Sequence, residues 1–196
     1  MSGGALVTGA GGQLGRELVF TSPGGLDCTA LDRQSLDIAD AAAIGRCLDA
    51  LQPRLVINAA AYTAVDRAES EPAAAEAING TAPGLLAAAC AERGVRLLHV
   101  STDFVFDGRA SSPYGPEAAA APLGAYGRSK LAGEEAVRAA LPGALVLRTG
   151  WVYSRHGGNF VKTMLRLMAE REALTVVADQ VGTPTWARGL ARALWS

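Results

Sequence analysis

The sequence predicts an α/β fold, a Rossmann-like doubly wound parallel sheet with helices on both faces. Short apolar runs alternate along the chain with longer segments of helical periodicity. The first of these runs is followed by three glycines spaced three residues apart. The chain has 196 residues, 49% of them hydrophobic, which is enough to bury one large core. Strands that alternate with helices form parallel sheets with right-handed crossovers, and these place helices on both faces.

The composition favours a small-molecule ligand over a polyanion. The 18 basic residues are balanced by 19 acidic ones and form no basic block, so neither nucleic acid nor an anionic membrane is expected as a partner. Three cysteines without a C-x-x-C and two isolated histidines indicate no metal site. No apolar run reaches the roughly 18 residues of a membrane span, and a strand begins too early to leave room for a signal peptide. We therefore expect a cytoplasmic protein.

The first predicted strand, residues 5–7, leads through a glycine-rich turn into a helix over residues 13–20. A helix N-terminus offers free N–H groups and a positive dipole end to a phosphate. Gly9 would let the chain turn, Gly12 would leave room for a pyrophosphate, and Gly15 would let the helix approach the strand. An ordinary tight turn is the alternative. The expected cofactor contacts are Gly9, Gly12, Gln13, Leu14 and Gly15.

The second predicted strand, residues 26–32, ends where a dinucleotide-binding fold places the carboxylate that binds the adenosine ribose. Asp32 would accept hydrogen bonds from that ribose and repel a 2′-phosphate, whereas Arg33 would attract one. The predicted cofactor is therefore NADPH or NADH, with neither preferred. Two solvated charges at a strand end are the alternative. A helix over residues 40–51 follows.

The third predicted strand, residues 55–58, runs directly into small residues, where a flat cofactor could lie against the backbone. A buried turn is the alternative. The residues concerned are Ala59, Ala60, Ala61 and Tyr62. The next helical region spans residues 72–93, and Asn79 and Pro83 interrupt its pattern, which predicts a kink or a break.

Tyr126 and Lys130 indicate catalysis, because they stand four apart on a helix over residues 123–141 and so share one face. A nearby ammonium would lower the pKa of the tyrosine, which could then donate a proton to a carbonyl that receives a hydride. Lys130 could also hold the nicotinamide ribose, and Thr102, after a strand over residues 95–101, could hydrogen-bond the reacting oxygen. A surface tyrosine–lysine pair is the alternative, but the order of the motifs along the chain favours catalysis.

Beyond this helix the pattern predicts a strand over residues 144–147, a helix over 159–170, a strand over 174–177 and a helix over 186–195. Apolar residues of the helix 159–170 recur at helical spacing, which predicts a buried face. That face comprises Phe160, Met164, Leu167 and Met168.

Six motifs extend over essentially the whole chain: VINAAAYTAVDRAESEP, STDFVFDG, AYGRSKLAGE, LRTGWVY, GGNFVKTMLRLMAERE and DQVGTPT. With the G-x-x-G-x-x-G turn and Y-x-x-x-K, they resemble the extended short-chain dehydrogenase/reductases, and among these the dTDP-4-dehydrorhamnose reductase family. The resemblance implies NAD(P)H-dependent reduction of the C4 carbonyl of dTDP-4-dehydro-L-rhamnose to dTDP-L-rhamnose. It makes Tyr126 the proton donor, Lys130 its partner, and Thr102 the residue that adjusts the tyrosine and the substrate carbonyl.

The same resemblance implies further site residues. Asp37 and Ile38 would flank the adenine ring, and Trp151 would offer an apolar wall to the dTDP-sugar. Phe104 stands where many relatives have tyrosine, which removes one hydrogen bond to the substrate. The implied substrate contacts are Val65, Thr102, Asp103, Phe104, Tyr126, Trp151 and Asn159.

The resemblance also divides the chain in two. Residues 1–150 would form the dinucleotide-binding domain with the catalytic helix, and residues 151–196 would begin a smaller substrate-binding lobe. Family members continue further, so we expect a truncated chain, and a homodimer is compatible with the family. Two alternatives stay open: a non-catalytic dinucleotide-binding subunit similar to the regulator of methionine adenosyltransferase, and another sugar-nucleotide epimerase or reductase. Dehydration is disfavoured, because Asp103 is followed by Phe104 and not by a second acidic residue.

Overall fold

The central sheet of the protein has five strands. In the computed structural model, which describes residues 3–196, they are β1 (Ala5–Thr8), β2 (Cys28–Leu31), β3 (Leu55–Asn58), β4 (Arg96–Thr102) and β5 (Leu145–Thr149). Their order is β2-β1-β3-β4-β5, and every neighbouring pair runs parallel. Residues 1–2, with which the predicted 1–150 domain begins, lie outside the described residues.

Eight α-helices are described between residues 3 and 196. They are α1 (Gln13–Phe20), α2 (Ala41–Leu51), α3 (Val65–Ser70), α4 (Pro72–Ala75), α5 (Ala82–Glu92), α6 (Ala125–Ala140), α7 (Phe160–Glu170) and α8 (Ala187–Trp195). A π-helix, Glu76–Thr81, joins α4 to α5, and a 3₁₀ turn, Asp103–Val105, follows β4. Two further strands, β6 (Val152–Tyr153) and β7 (Thr185–Trp186), pair in parallel beside the main sheet. None of the helices in this part of the chain is long and apolar enough to cross a membrane.

The core lies on both faces of the sheet, because successive residues of a strand point to opposite sides. Leu6 packs into a cluster that includes Ile44 of α2 and Leu86 of α5. The next residue, Val7, packs into a cluster that includes Leu18 of α1 and Ala191 of α8. Helices therefore cover both faces, which confirms the predicted doubly wound fold.

The strand order places a crevice between the carboxyl ends of β1 and β3. From β1 the chain first crosses to β2 on one side and then returns to β3 on the other. The connections after β1 and β3 consequently leave the sheet in opposite directions, and ligands of open α/β sheets bind at such a switch point. The glycine-rich turn and the small-residue stretch 59–62 are those two connections.

The predicted interruption near Asn79 takes the form of the π-helix, and Pro83 lies in the first turn of α5, directly after it. The sequence analysis predicts no helix between the strand 55–58 and residue 72, yet Val65–Ser70 is helical. A contact with α6 stabilises this short helix, because the Glu69 carboxylate accepts a hydrogen bond from the Ala125 amide (2.6 Å) at the start of α6.

Two predictions for the last fifty residues are wrong. Residues 174–177 form no strand, and Val176 and Val177 are exposed; the partner that β6 finds is β7. Helix α7 begins one residue later than predicted and has no buried residue, and Phe160 and Met168 are 62% and 59% exposed. Periodicity identifies the apolar side of a helix, but burial requires a neighbour, and no element between residues 3 and 196 covers this side.

Candidate active site

A cleft of about 1550 Å³ opens at the carboxyl ends of β1, β3, β4 and β5. Its floor begins at the glycine-rich turn, passes the stretch 59–62 and ends at the first turns of α6. Nearly all the predicted site residues line it. These are Gly9, Gly12, Gln13, Leu14, Asp32, Arg33, Asp37, Ile38, Ala59, Ala60, Ala61, Tyr62, Val65, Thr102, Asp103, Phe104, Tyr126, Lys130, Trp151 and Asn159.

The glycine-rich turn is closely packed where it meets the sheet and open where it meets the cleft. Gly9 has a φ of +73°, and a Cβ there would lie 2.6 Å from the Ala60 amide nitrogen. Gly15 lies below the cleft lining, because a Cβ there would overlap the Gly9 carbonyl oxygen and come within 2.7 Å of the Ala10 Cα. It therefore permits helix–strand contact and does not face a ligand. Gly12 has only the Gly9 oxygen near its Cβ position (3.3 Å), and no side chain caps α1, so its first N–H groups are open to a phosphate.

Asp32 and Arg33 lie at the far end of the cleft, after β2. One oxygen of Asp32 accepts hydrogen bonds from the Ser35 hydroxyl (2.9 Å) and the Ser35 and Gln34 amides (3.0 and 3.1 Å). The Ser35 hydroxyl in particular holds the pKa of Asp32 below its ordinary value. The carboxylate is therefore charged and oriented, and the Cβ atom of Asp32 lies 3.8 Å from the Cβ position of Gly11 in the turn.

Through Asn79, the π-helix connects the small-residue stretch 59–62 to helix α6. The Asn79 side chain accepts a hydrogen bond from the Tyr62 amide (2.8 Å) and donates one to the Tyr62 carbonyl (2.9 Å). The same amide group donates to the Ser129 hydroxyl (3.2 Å) on α6. The sequence analysis missed this role, although it marked Asn79 as an interruption of the helical pattern, and that interruption is the signal that could have found it.

Asn58, at the end of β3, is the centre of a second buried group of polar side chains. Asn58 accepts hydrogen bonds from the Thr8 hydroxyl (2.7 Å) and the Ala60 amide (3.1 Å), so its amino group donates to Nδ1 of His99 (3.1 Å). His99 is fully buried, and burial, followed by the charge of Lys130, lowers its pKa to about 3. It is therefore a neutral strand histidine that helps to fix the turn after β3.

Tyr126, Lys130 and Thr102 line the same part of the cleft, beside the end of β4. Tyr126 is 9% exposed and Lys130 1%, and the edge of the Tyr126 ring meets Phe104 at a centroid distance of 5.5 Å. The Lys130 ammonium donates to the Val100 carbonyl (2.7 Å) of β4. Burial lowers the pKa of Lys130 to about 8.

The predicted lowering of the Tyr126 pKa is wrong for the protein without a ligand. Burial raises that pKa, hydrogen bonding with Thr102 opposes the rise, and the charge of Asp103 adds to it. The ammonium of Lys130 is held by a backbone carbonyl, so it does not offset the effect of burial on the phenol. Tyr126 is therefore a protonated phenol at neutral pH, able to give up a proton.

Of the residues expected to face the sugar, Thr102 and Asp103 lie at the end of β4, and Trp151 and Asn159, which follow β5, form a sugar-facing wall. The Thr102 hydroxyl donates to Asp103 (3.1 Å), and burial raises the pKa of that carboxyl. The Trp151 indole packs against Gly182 of the DQVGTPT motif, where it leaves no room for a Cβ. Asn159 caps α7 through the Lys162 amide (3.0 Å) and donates to Gln13 (2.9 Å), which ties this wall to the glycine-rich turn.

The chain resembles known proteins over almost its whole length. A family model described as RmlD substrate binding domain matches residues 4–196. A dTDP-4-dehydrorhamnose reductase of Burkholderia thailandensis is 48% identical over 186 residues, which cover 95% of this chain and 62% of that protein. A dTDP-4-keto-6-deoxy-D-glucose reductase of Streptomyces niveus is 45% identical over 189 residues, which cover 95% of this chain and 66% of that protein. The chain thus spans less than two thirds of the length of either enzyme.

A solved structure agrees with these sequence matches. The crystal structure of a dTDP-4-dehydrorhamnose reductase from Bacillus anthracis, in complex with NADP, superimposes with a TM-score of 0.95 at 38% identity. The match covers 99% of this chain and 70% of that one.

Proposed function

The chain belongs to the RmlD substrate binding domain family, and from this we propose that it carries the cofactor site and the proton donor of an NAD(P)H-dependent dTDP-sugar reductase. The reaction is reduction of the C4 carbonyl of dTDP-4-dehydro-L-rhamnose to dTDP-L-rhamnose. The observation that carries the proposal is the meeting of Tyr126, Lys130 and Thr102 at one end of a cleft whose other end is the glycine-rich turn.

The cleft fits a dinucleotide. Gly12 and the free N–H groups at the start of α1 suit the pyrophosphate, and Asp32 suits the adenosine ribose. When bound, NADPH or NADH supplies the hydride. The complex of the Bacillus anthracis relative with NADP supports this assignment. Lys130, directed toward the end of β4, is placed to hold the ribose next to the nicotinamide.

Tyr126 supplies the proton. Reduction of a ketone needs an acid at the oxygen as the hydride arrives at carbon, and a buried phenol whose pKa is raised is in the protonated form that this step requires. The Thr102 hydroxyl, which donates to Asp103 in the structure, would turn to donate to the same oxygen and so fix its distance from the phenol.

One observation supports a second candidate substrate. The Streptomyces niveus relative is named for reduction of dTDP-4-keto-6-deoxy-D-glucose and matches this chain almost as well as the Burkholderia enzyme does. Both sugars present a C4 carbonyl to the same three side chains, so the choice between them lies in the sugar-facing wall. The predicted homodimer and cytoplasmic location stay predictions from the sequence.

Loss of NADPH absorbance with each of the two sugars tests the proposal. We expect the protein that carries this chain to oxidise NADPH with dTDP-4-dehydro-L-rhamnose, and Tyr126→Phe to lower turnover by orders of magnitude while NADPH binding is retained. Tyr114→Phe is the matched control, because Tyr114 loses the same hydroxyl but stacks on Phe106 outside the cleft. Saturable NADPH binding without oxidation in the presence of either sugar would contradict the reductase assignment. Unchanged turnover in Tyr126→Phe would remove Tyr126 from the mechanism.

A further inference from the structure

A buried charged cluster lies behind the catalytic pair, outside the cleft lining. Glu134 follows Lys130 by one turn of α6, and its side chain is 0% exposed. Arg148 of β5 donates to both of its oxygens (2.9 and 2.7 Å). The half-exposed Arg138 adds one contact (3.2 Å), and the Phe106 ring covers the Arg148 guanidinium at 4.9 Å from its centroid.

The cluster contains one buried anion, Glu134, one buried cation, Lys130, and the partly exposed Arg148. Burial works to raise the pKa of Glu134, but the hydrogen bonds from Arg148 and the charges of Arg148 and Arg138 outweigh it, so the pKa lies below its ordinary value. Glu134 is therefore charged, and its charge favours the ammonium form of Lys130 against the cost of burial. Without it, Lys130 would be left as a buried cation beside the partly exposed Arg148, with no buried anion near either.

The two anchors of α6 lie on adjacent strands. Lys130 is fixed to β4 through the Val100 carbonyl, and Glu134 is fixed to β5 through Arg148. β4 and β5 pair directly, with Ser101 opposite Arg148. The carboxylate thus holds the helix at the place where the strands end at the cleft, one turn from the lysine and two from Tyr126.

We propose that Glu134, oriented by Arg148, is a positioning residue that keeps Lys130 charged and fixed against β4 in the reductase. The proposal rests on the proposed function for its catalytic meaning, but its electrostatic part concerns this chain alone.

Other titratable groups near Lys130 do not take this role. His99 of β4 is neutral, and Asp103 acts on Tyr126. On the elements that pack against the other sides of α6, Glu69 of α3 is bound to the Ala125 amide, and Glu76 of the π-helix lies against Gly80. Glu134 is the carboxylate whose charge raises the pKa of Lys130.

The test uses the fact that the sequence has two lysines, Lys130 and Lys162. In protein labelled with ¹³C at the lysine ε-carbon, the pH titration of each ammonium can be followed by NMR, and the exposed Lys162 serves as internal reference. We expect the Lys130 midpoint in Glu134→Gln to lie about one pH unit below that of the wild type. The same shift should appear in the high-pH limb of the turnover profile.

Two further variants separate charge from packing. Glu135→Gln makes the same change at the exposed neighbouring position and should leave the Lys130 midpoint in place. Glu134→Asp keeps the negative charge but shortens the side chain, so the Lys130 midpoint in this variant should stay near that of the wild type. It also keeps the test available if Glu134→Gln does not fold. Equal midpoints in wild type and Glu134→Gln, or equal shifts in Glu134→Asp and Glu134→Gln, would overturn the proposal. Because the titration needs no substrate, a wild-type protein without turnover would refute the reductase function and not this inference.

Discussion

Replacing Gly15 by alanine tests how closely α1 must approach β1 to form the phosphate-binding turn. A Cβ at residue 15 would overlap the Gly9 carbonyl oxygen and lie 2.7 Å from the Ala10 Cα and 2.9 Å from the Gly9 carbonyl carbon. All three atoms belong to the backbone, so the clash cannot be relieved by a side-chain rotation. The helix would have to move away from the strand.

Gly45→Ala in α2 is the matched control. Its nearest non-local atom is the flexible Arg93 guanidinium, 3.5 Å from the Cβ position. Alanine gains up to about 1 kcal/mol over glycine in a helix, and this gain acts in both variants. The difference between them is then the overpacking cost, about 1–3 kcal/mol, and we expect the upper end because the contacts are with backbone.

The assay is urea or thermal unfolding of both variants, followed by circular dichroism. A difference of about 3 kcal/mol corresponds to a melting temperature roughly 6–12 °C lower for Gly15→Ala than for Gly45→Ala in a chain of this size. We also expect weaker NADPH binding in Gly15→Ala, since the N–H groups of α1 move with the helix. If Gly15→Ala proved as stable as Gly45→Ala, the close approach of α1 to the glycine-rich turn would be refuted.

Two other predictions concern charge. His99 has a pKa of about 3 in the folded protein and about 6.5 when unfolded, so the unfolded chain binds more protons in between, and stability should fall by about 2 kcal/mol from pH 7 to pH 5. In urea unfolding at the two pH values, the free energy of unfolding of His99→Gln should fall by about 2 kcal/mol less than that of the wild type. An equal fall in both proteins would contradict a buried neutral histidine. Asp32→Ala should improve NADPH binding relative to NADH by about tenfold in fluorescence titrations, because a negative charge near the 2′-phosphate is lost; an unchanged ratio would place Asp32 away from the adenosine ribose.

The elements that could be predicted from the sequence are those whose partners are nearly local. The bounds of α1 and β3 are as predicted, and α2 and α8 begin one residue later than predicted, because glycines, proline and apolar periodicity are readable within a few residues. The doubly wound parallel sheet was predicted from the alternation of strands and helices. Tyr126 and Lys130 could be placed on one helical face from their spacing.

The features that could not be predicted depend on contacts between residues distant in sequence. The strand predicted over 174–177 has the right composition but no partner, whereas β6 finds its partner more than thirty residues away. The Asn58–His99 hydrogen bond and the ion pair between Glu134 and Arg148 join elements that no local pattern connects. The direction of the Tyr126 pKa was missed for the same reason, since burial is set by the whole fold.

The central claim is that the glycine-rich turn binds the pyrophosphate of a dinucleotide, and NADPH titration of Gly12→Asp tests it most directly. The new carboxylate would stand at the open start of α1, where it repels a phosphate. Gly24→Asp is the matched control, because residue 24 is an exposed loop position with nothing within 4 Å of its Cβ. We predict saturable NADPH fluorescence enhancement in wild type and Gly24→Asp and its loss in Gly12→Asp. Equal binding by all three proteins, or no binding by the wild type, would contradict the account.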